Sequence, residues 1–424
     1  MSEEAGLAAL RRRALVATTI GNALEWFDFV VFGLFAGVIG KLFFTTDGAA
    51  NALLLAFATF GVAFVARPLG GVLFGLVADR VGRKTALVWM IGLMAVGTGM
   101  IAVLPTYAAI GIAAPMLLVL ARLIQGFSAG GEFGGASALL IEFAPPGRRG
   151  YFGAFQMMSQ ALAYALGAAL ALGLAYALTP EAFASWGWRV PFAIGLLIGP
   201  VGVYLRRACA ESPEFLAYRA KHAPPAAPLR DLMSTHRRKI VASFGVIAAG
   251  AAMNYVGVVF VPVYATTRFG LPMFEAQIGL LAASLAAAAL VAPFGALSDR
   301  FGRRAVIAPA LVTFAALFWL FMHRLAAEPV VANLWLLQGV GALFAAFAGP
   351  VPALMTEIFP VHLRATGASL AFNIAGALFG GLAPAINGAL VQATGNPAAP
   401  AYYIAFVAVL GLIGLAGLPR RSPA

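Results

Sequence analysis

Two carboxylates stand close together in the first long apolar run of the chain. Glu25 and Asp28 belong to the segment GNALEWFD, residues 21–28. A charge at the centre of a membrane helix costs about 2.5–3.5 kcal/mol on insertion scales, so such residues are functional candidates. Asn22, Glu25 and Asp28 are three residues apart and lie broadly on one helix face, and neighbouring carboxylates raise each other's proton affinity. The pattern predicts a proton-coupling site, with pairing to an arginine as the alternative for either acid singly.

Two arginines in other apolar runs are the cations that match these acids. Arg67 lies within ARPLGG, and Arg122 begins the segment RLIQGFSAGGE. Arginine stays charged and holds a carboxylate with two parallel hydrogen bonds. Arg122 is therefore predicted to hold either Asp28 or an anionic substrate, so that protonation of Asp28 releases it; a static structural pair is the alternative for both arginines. Glu132 is a third candidate for proton coupling or gating, again with a structural pair as the alternative.

Uncharged polar side chains in the apolar runs are candidates for contact with a substrate. They suit hydroxyl and carboxylate oxygens, and an interhelical hydrogen bond is the alternative for each. With the two arginines, the predicted substrate-binding residues are Asn22, Arg67, Arg122, Gln125, Gln156, Gln160, Tyr164, Asn254, Tyr255 and Asn373.

The sequence offers little to support an enzyme. Its four histidines show no metal-ligand spacing, and it contains neither the nucleotide-binding pattern GxxxxGK[ST] nor the zinc-protease pattern HExxH. We therefore expect no enzymatic activity, no cofactor and no bound metal.

The runs that carry these residues are long enough to cross a membrane. Hydrophobic residues make up 62% of the 424 residues and charged residues 10%, against roughly 45–50% and 25% in soluble domains. A membrane helix needs about 20 mainly apolar residues, and we predict an all-α integral membrane protein with twelve spans. The predicted spans are residues 14–44, 50–78, 85–104, 109–140, 151–178, 188–206, 239–267, 274–298, 304–323, 331–357, 365–393 and 400–419.

Repeated motifs indicate that the chain is duplicated. The string GLVADRVGRK, which starts at residue 75, recurs as GALSDRFGRR from residue 295, and EFAPPGRR from residue 142 is echoed by EIFPVHLR from residue 357. Parallel halves are a plan of secondary transporters, which bind substrate at the midplane between the halves. We predict a six-helix N-terminal half (1–206), a basic linker (207–238) and a six-helix C-terminal half (239–424).

Basic residues collect in the loops on one side of this topology. With the N-terminus inside, only Lys41, Arg189, Arg268 and Arg324 are left for the outside. The positive-inside rule therefore predicts that both termini are cytoplasmic. The net charge of +12 is explained by this orientation, so no nucleic-acid partner is expected.

The repeated loop resembles the signature loop of the major facilitator superfamily. Its glycines allow close helix approach, and its acidic residue can sit at the positive N-terminal end of a neighbouring helix. The resemblance implies that the loop latches the cytoplasmic side while the carrier faces outward; a role in topology alone is the alternative. The implied gating residues are Gly75, Asp79, Arg80, Gly82, Arg83, Lys84, Asp299, Arg300, Arg303 and Arg304.

Further motifs are similar to those of the metabolite:proton symporter family. They are GNxxEWFD in the first span, ARPLGG in the second, RxxQGFSxGGE in the fourth, WGWRVPF before the sixth and GASLAFN in the eleventh. The likeness extends over residues 15–418, and the family includes carriers for citrate, α-ketoglutarate, shikimate, proline and betaine. It implies import driven by the proton gradient, with Asp28, Arg122, Glu25 and Arg67 in coupling or binding.

The resulting prediction is a proton-coupled importer of a small organic acid, such as a di- or tricarboxylate, that works by alternating access. Uptake of a zwitterionic osmolyte, and a uniporter or drug exporter on the same fold, are the alternatives. Osmolyte carriers of the family often bear a C-terminal coiled coil, and we expect none in this chain, which makes the osmolyte a second choice and does not eliminate it. We expect an organic anion and protons as transported partners, and a functional monomer in the lipid bilayer of the bacterial inner membrane.

Overall fold

The computed structural model is helical, with no strand in the part of the chain that it describes. Helices satisfy their backbone hydrogen bonds internally, which lipid surroundings require. Eleven helical spans are long and apolar enough to cross a membrane, and the remaining predicted span, 188–206, coincides with the 18-residue helix Val190–Arg207. The predicted all-α membrane architecture is confirmed. The structure describes residues 3–44, 49–207, 213–221 and 228–419.

We number the long helices α1 to α12 in chain order. Two of them contain one π-helical segment each, Val256–Phe260 and Ala377–Gly381, a feature that is frequent at functional sites. The bounds are α1 Glu3–Leu34, α2 Ala49–Arg80, α3 Arg83–Val103, α4 Ala113–Glu142, α5 Arg149–Ala177, α6 Val190–Arg207, α7 Arg237–Phe269, α8 Met273–Phe301, α9 Arg303–Ala327, α10 Val331–Glu357, α11 Val361–Thr394 and α12 Ala399–Gly417.

Glycines allow α4 to lie directly against α2. A Cβ atom on Gly126 would overlap the carbonyl oxygen of Ala63, and one on Gly130 would overlap that of Arg67. Only glycine permits two helix backbones to approach this closely. The close approach brings Arg122 of α4 and Arg67 of α2 into the same buried region.

The first six helices meet the last six along two seams, α5 against α8 and α2 against α11. At the first seam, a Cβ atom on Gly295 would lie 2.7 Å from Cβ of Ala154. At the second, a Cβ atom on Gly75 would lie 3.1 Å from Cα of Thr366. Gly75 and Gly295 each begin a copy of the repeated motif, so the repeat in the sequence supplies the small residue at each seam.

Four connections lie at one end of the bundle, because consecutive spans cross in opposite directions. These are the turns after α2, α4, α8 and α10, at residues 81–82, 143–148, 302 and 358–360. We call this end of the helix bundle the basic end. Part of the linker packs here, with the ring of Tyr218 stacked on His362 at 5.4 Å. Burial, together with Lys239, lowers the pKa of His236 at the start of α7.

Candidate functional site

A cavity lies between the two groups of helices, and Arg67 lies on its wall. It has two adjoining lobes of about 40 and 50 Å³, which share Gln160 and Asn254. Tyr255 and Tyr164 line one lobe each. Most of the remaining wall is aromatic or aliphatic, as in small-molecule sites where a few polar groups orient the ligand.

Aromatic rings surround the guanidinium of Arg67. Its Cζ lies 5.1 Å from the ring centre of Trp26, 5.0 Å from that of Phe29, 4.8 Å from that of Phe64 and 5.9 Å from that of Phe372. The residue is 2% exposed, and within the described residues it pairs with no carboxylate. Burial of a charge without an opposite charge beside it is costly, and cation–π contacts offset only part of that cost. This site is therefore suited to an anionic group that comes from outside the chain.

Two neutral side chains connect Arg122 with Asp28. Arg122 Nη1 donates to Gln125 Oε1 at 2.7 Å, Gln125 Nε2 donates to Thr98 Oγ1 at 2.8 Å, and Thr98 Oγ1 donates to Asp28 Oδ2 at 2.7 Å. Arg122 is fully buried and lines neither lobe of the central cavity. In this structure Arg122 reaches Asp28 through a hydrogen-bonded relay and not by the direct contact that we predicted.

Thr98 is the member of this relay that the sequence did not single out. It is the one hydroxyl in the middle of α3, which is a weak signal because threonine in a helix often bonds a carbonyl of its own preceding turn. Only the packing of α3 against α1 and α4 shows that its hydroxyl joins Asp28 to Gln125.

Phe29 connects the relay to the cavity. The centre of its ring lies 5.0 Å from Cζ of Arg67 and 5.0 Å from Cζ of Arg122. Because Phe29 follows Asp28 on α1, a shift of α1 at the acid also moves the ring between the two cations. Glu25 and Glu132 are buried nearby on α1 and α4, and neither lines the central cavity.

The other predicted polar residues fall into two groups. Gln160, Tyr164, Asn254 and Tyr255 line the cavity, where Asn254 Nδ2 donates to the hydroxyl of Tyr164 at 2.6 Å. The amide nitrogen of Gln160 is buried without a hydrogen-bond partner. These groups can bind further oxygens of a ligand held at Arg67.

The second group makes interhelical bonds away from the cavity. Asn22 Nδ2 donates to the carbonyl of Gln156 at 3.1 Å and to Ser159 at 2.5 Å, which joins α1 to α5. Gln156 also accepts a bond from Ser137 of α4. Asn373 of α11 donates to a carbonyl of α4, that of Gly130. In this structure these three residues follow the alternative considered for them, helix pairing.

One segment, GFSAG at residues 126–130, matches the GxSxG pattern of serine hydrolases. Ser128 Oγ donates to the carbonyl of Met90 on α3. The described histidines, His236, His323 and His362, lie in or next to the ends of helices, so none of these three is positioned as a base beside this serine. Among the described residues no group of three histidine, cysteine or acidic side chains could hold a metal ion.

Asp299 joins the two groups of helices at the basic end. Its carboxylate oxygens accept from the backbone N–H groups of Gly150 and Tyr151 at 2.7 and 2.9 Å, at the start of α5. A carboxylate is favourable there because a helix N-terminus carries partial positive charge. Arg303 holds Asp299 at 2.7 Å and Glu357 at 2.8 Å. α5 and α8 are thereby tied together.

A second contact across the basic end is an ion pair between Arg364 of α11 and Glu142 of α4, at 3.3 Å.

The two turns of the repeated motif contain a glycine with positive φ. Gly82, after α2, has φ 140°, and its counterpart Gly302, after α8, has φ 92°. Glycine is favoured at these values because a residue with a Cβ atom rarely adopts them. Arg80, Lys84, Arg300 and Arg304 border these two turns. The side chains of Asp79 and Arg83 lie outside the described residues.

Asp299→Asn is expected to open the basic end more often. Asparagine can still accept from a backbone N–H of α5, but it removes the negative charge at the helix N-terminus and beside Arg303. Loss of a charge at a helix end costs up to about 1 kcal/mol, which corresponds to about fivefold in population. For the measurement, the single cysteine, Cys209, is replaced by serine. A reporter cysteine is then introduced by Ala154→Cys, at a fully buried position of the α5–α8 seam. A maleimide should label this cysteine about fivefold faster in the Asp299→Asn variant, because the open population is about fivefold larger. The exposed Asp231→Asn is the matched control, and equal labelling in both variants would exclude the latch role.

The class of protein follows from these features. Long apolar helices enclose a cavity with a buried cation that has no carboxylate partner among the described residues. Two seams separate the helices into groups, and ionic contacts close one end. This is the organisation of a multi-pass membrane carrier with a central binding site.

Comparison with known proteins identifies the family. The chain matches the model "Sugar (and other) transporter" over residues 14–242 and the model "Major Facilitator Superfamily" over residues 242–424. It is 38% identical to the citrate-proton symporter of Klebsiella pneumoniae over 96% of this chain and 92% of the relative. It is 33% identical to the proline/betaine transporter of Escherichia coli (strain K12) over 95% of this chain and 82% of the relative.

The fold agrees with that of a solved transporter. The proton:xylose symporter XylE of E. coli superposes with a TM-score of 0.78 at 19% identity, over 96% of this chain and 95% of that one. The chain belongs to the major facilitator superfamily, in the proton-symporter branch that its relatives represent. It is a membrane transporter and not an enzyme, as predicted.

Proposed function

We propose that this protein imports a small organic acid together with protons, by alternating access. It works as a monomer in the bacterial inner membrane, with the basic end and both termini in the cytoplasm. The observation that carries the proposal is Arg67, a buried cation on the cavity wall with no carboxylate partner among the described residues. The relative named as a citrate-proton symporter supports an acid as substrate.

Substrate binds in this scheme with a carboxylate at Arg67. The planar guanidinium offers two parallel donors, and Gln160 and Asn254 contact the remaining oxygens. The aromatic walls exclude water, which strengthens the ion pair. Tyr164 and Tyr255 supply hydroxyl groups at either lobe.

Proton coupling acts through Asp28. A proton on this acid removes the negative charge that Thr98 and Gln125 connect to Arg122, so the relay rearranges and α1 shifts. The ring of Phe29 transmits the shift to Arg67. Units 1–206 and 239–424 then rock about the cavity, with 207–238 as the connection, while the Asp299 and Arg364 contacts at the basic end break.

A zwitterionic osmolyte is the second candidate, and the rings around Arg67 favour it. Aromatic cages recognise quaternary ammonium groups, and a cavity with one cation suits one carboxylate better than three. The relative named as a proline/betaine transporter supports the same reading.

Uptake into proteoliposomes distinguishes the candidates. Radiolabelled citrate, succinate, shikimate, proline and glycine betaine are tested with an imposed pH gradient, and each unlabelled compound is tested as a competitor. We expect an organic acid to accumulate. Competition by betaine together with failure of citrate, succinate and shikimate would overturn the organic-acid proposal.

A second uptake experiment imposes a potassium-diffusion potential across the proteoliposome membrane, with equal pH on both sides. One net positive charge moving inward gains about 2.3 kcal/mol per 100 mV, which supports about 40-fold accumulation at about 1.4 kcal/mol per tenfold. A zwitterion with one proton carries that charge, whereas a monoanion with one proton carries none. We expect nearly electroneutral uptake, so strong stimulation by inside-negative voltage would favour the zwitterion or a larger number of protons.

A further inference from the structure

A second, smaller cavity lies beside Asp28. Its volume is about 20 Å³, and it shares no lining residue with the central cavity. Its walls include Asp28 and Glu25 from α1, Ala95 from α3, and Gly195 and Gly199 from α6. One water molecule needs about 10–15 Å³ of such space. The cavity therefore has room for a single water molecule next to two carboxylates.

The two carboxylate oxygens of Asp28 have different surroundings. Oδ2 accepts the hydrogen bond from Thr98 at 2.7 Å. Oδ1 is buried and accepts no hydrogen bond, in a residue that is 4% exposed. A buried acceptor without a donor costs about 1–3 kcal/mol. A water molecule in the small cavity would supply the donor.

Glycines on α6 create this space. A Cβ atom on Gly195 would overlap Oδ1 of Asp28. A Cβ atom on Gly199 would lie 2.8 Å from Cβ of Ala95, on the opposite wall. Because any larger side chain at either position would occupy the cavity, the paired glycines keep the unpartnered oxygen of Asp28 open to a water-sized space.

We propose that this cavity holds a water molecule through which Asp28 passes its proton to Glu25, by a route separate from that of the substrate. Glu25 precedes Asp28 by three residues on α1 and so lies about 4.5 Å nearer the basic end. The O–H bond of Asp28 breaks as its proton joins the water, and a water proton forms the new O–H bond on Glu25. The water stays neutral, and the negative charge moves from Glu25 to Asp28. This inference rests on the proposed proton coupling.

Two variants fill the cavity from opposite walls, Gly199→Ala and Ala95→Val. Their matched control is Gly99→Ala, whose Cβ would lie 3.1 Å from Leu196 Cδ1, at the same contact of α3 with α6 but outside the cavity. Uptake driven by a pH gradient and counterflow of preloaded substrate are measured in the same proteoliposomes, with radiolabelled citrate and glycine betaine as probes. We expect the filled variants to lose at least about tenfold in driven uptake, because a positioned proton-transfer step is impaired, and to keep wild-type counterflow.

A double variant tests whether Glu25 belongs to the same step. If it does, driven uptake by Gly199→Ala combined with Glu25→Gln should be no slower than that of the slower single variant, since effects on one step are not additive.

Two results overturn the water route. One is wild-type driven uptake in both filled variants, and the other is loss of counterflow in both while Gly99→Ala is active. Absence of pH-driven uptake of every tested compound in the wild-type protein is a different result, and it overturns the proposed function instead.

Discussion

Asp28→Asn is expected to abolish accumulation driven by a pH gradient while substrate exchange continues. Asparagine keeps the shape of the side chain and can still accept from Thr98 Oγ1, which lies 2.7 Å from Asp28 Oδ2, but it cannot carry a proton. A 1:1 symport of a monoanion with one proton gains about tenfold accumulation per pH unit, and the variant should equilibrate without accumulation. Driven uptake and counterflow in the same vesicles provide the measurement.

Thr98→Val is the matched control for this prediction. It removes the hydrogen bond to Asp28 and so breaks the relay, but it leaves the titratable carboxylate in place. Accumulation should therefore be reduced and not abolished, with an altered pH dependence, and Thr98→Ser should restore the wild-type profile. If Asp28→Asn accumulates substrate at the wild-type rate, Asp28 has a structural role. Glu25 then becomes the candidate for coupling.

Arg67→Lys should weaken substrate binding almost as much as Arg67→Gln. Lysine offers a point charge and lacks the planar fork that binds a carboxylate in parallel and stacks between rings. Loss of one partner of a buried charge pair costs about 3–5 kcal/mol, so we expect a loss of affinity on the order of a hundredfold or more. Calorimetric binding of citrate and of glycine betaine to the purified protein measures the effect.

The same substitution at the other buried arginine is the control. Arg122 lines neither lobe of the central cavity, so Arg122→Lys should keep substrate affinity and impair driven uptake through the relay. The reverse pattern, with affinity retained in Arg67→Lys and lost in Arg122→Lys, would place the substrate carboxylate at Arg122, where the sequence also allowed it.

The membrane fold could be predicted because its signals are local. A span of about 20 apolar residues leaves few choices for the backbone in lipid, and the boundaries of α5 and α10 agree closely with the predicted spans 151–178 and 331–357. The family was also recognisable, because its motifs are short strings of neighbouring residues. These predictions needed no knowledge of which helices touch.

The site was only partly predictable for the opposite reason. Asp28, Arg67 and Arg122 attracted notice because charge in an apolar run is costly. Most of what surrounds these charges lies on other helices, however, as Thr98 does, 70 positions from Asp28. Asn22 and Asn373 had the same chemical character as Gln160 and Asn254. Only packing shows that the first two pair helices and the last two line the cavity.

The sequence by itself determined that this chain is a duplicated, all-helical membrane transporter with buried acids and arginines, because composition and repeated motifs require no contact information. Tertiary structure decided which charge faces the cavity. Arg67 stands among four rings and has no carboxylate partner in the part of the chain that the structure describes, whereas Arg122 reaches Asp28 through Gln125 and Thr98. The physical reason is that a buried charge is expensive wherever it lies in the chain, but what compensates it depends on the helices that pack beside it.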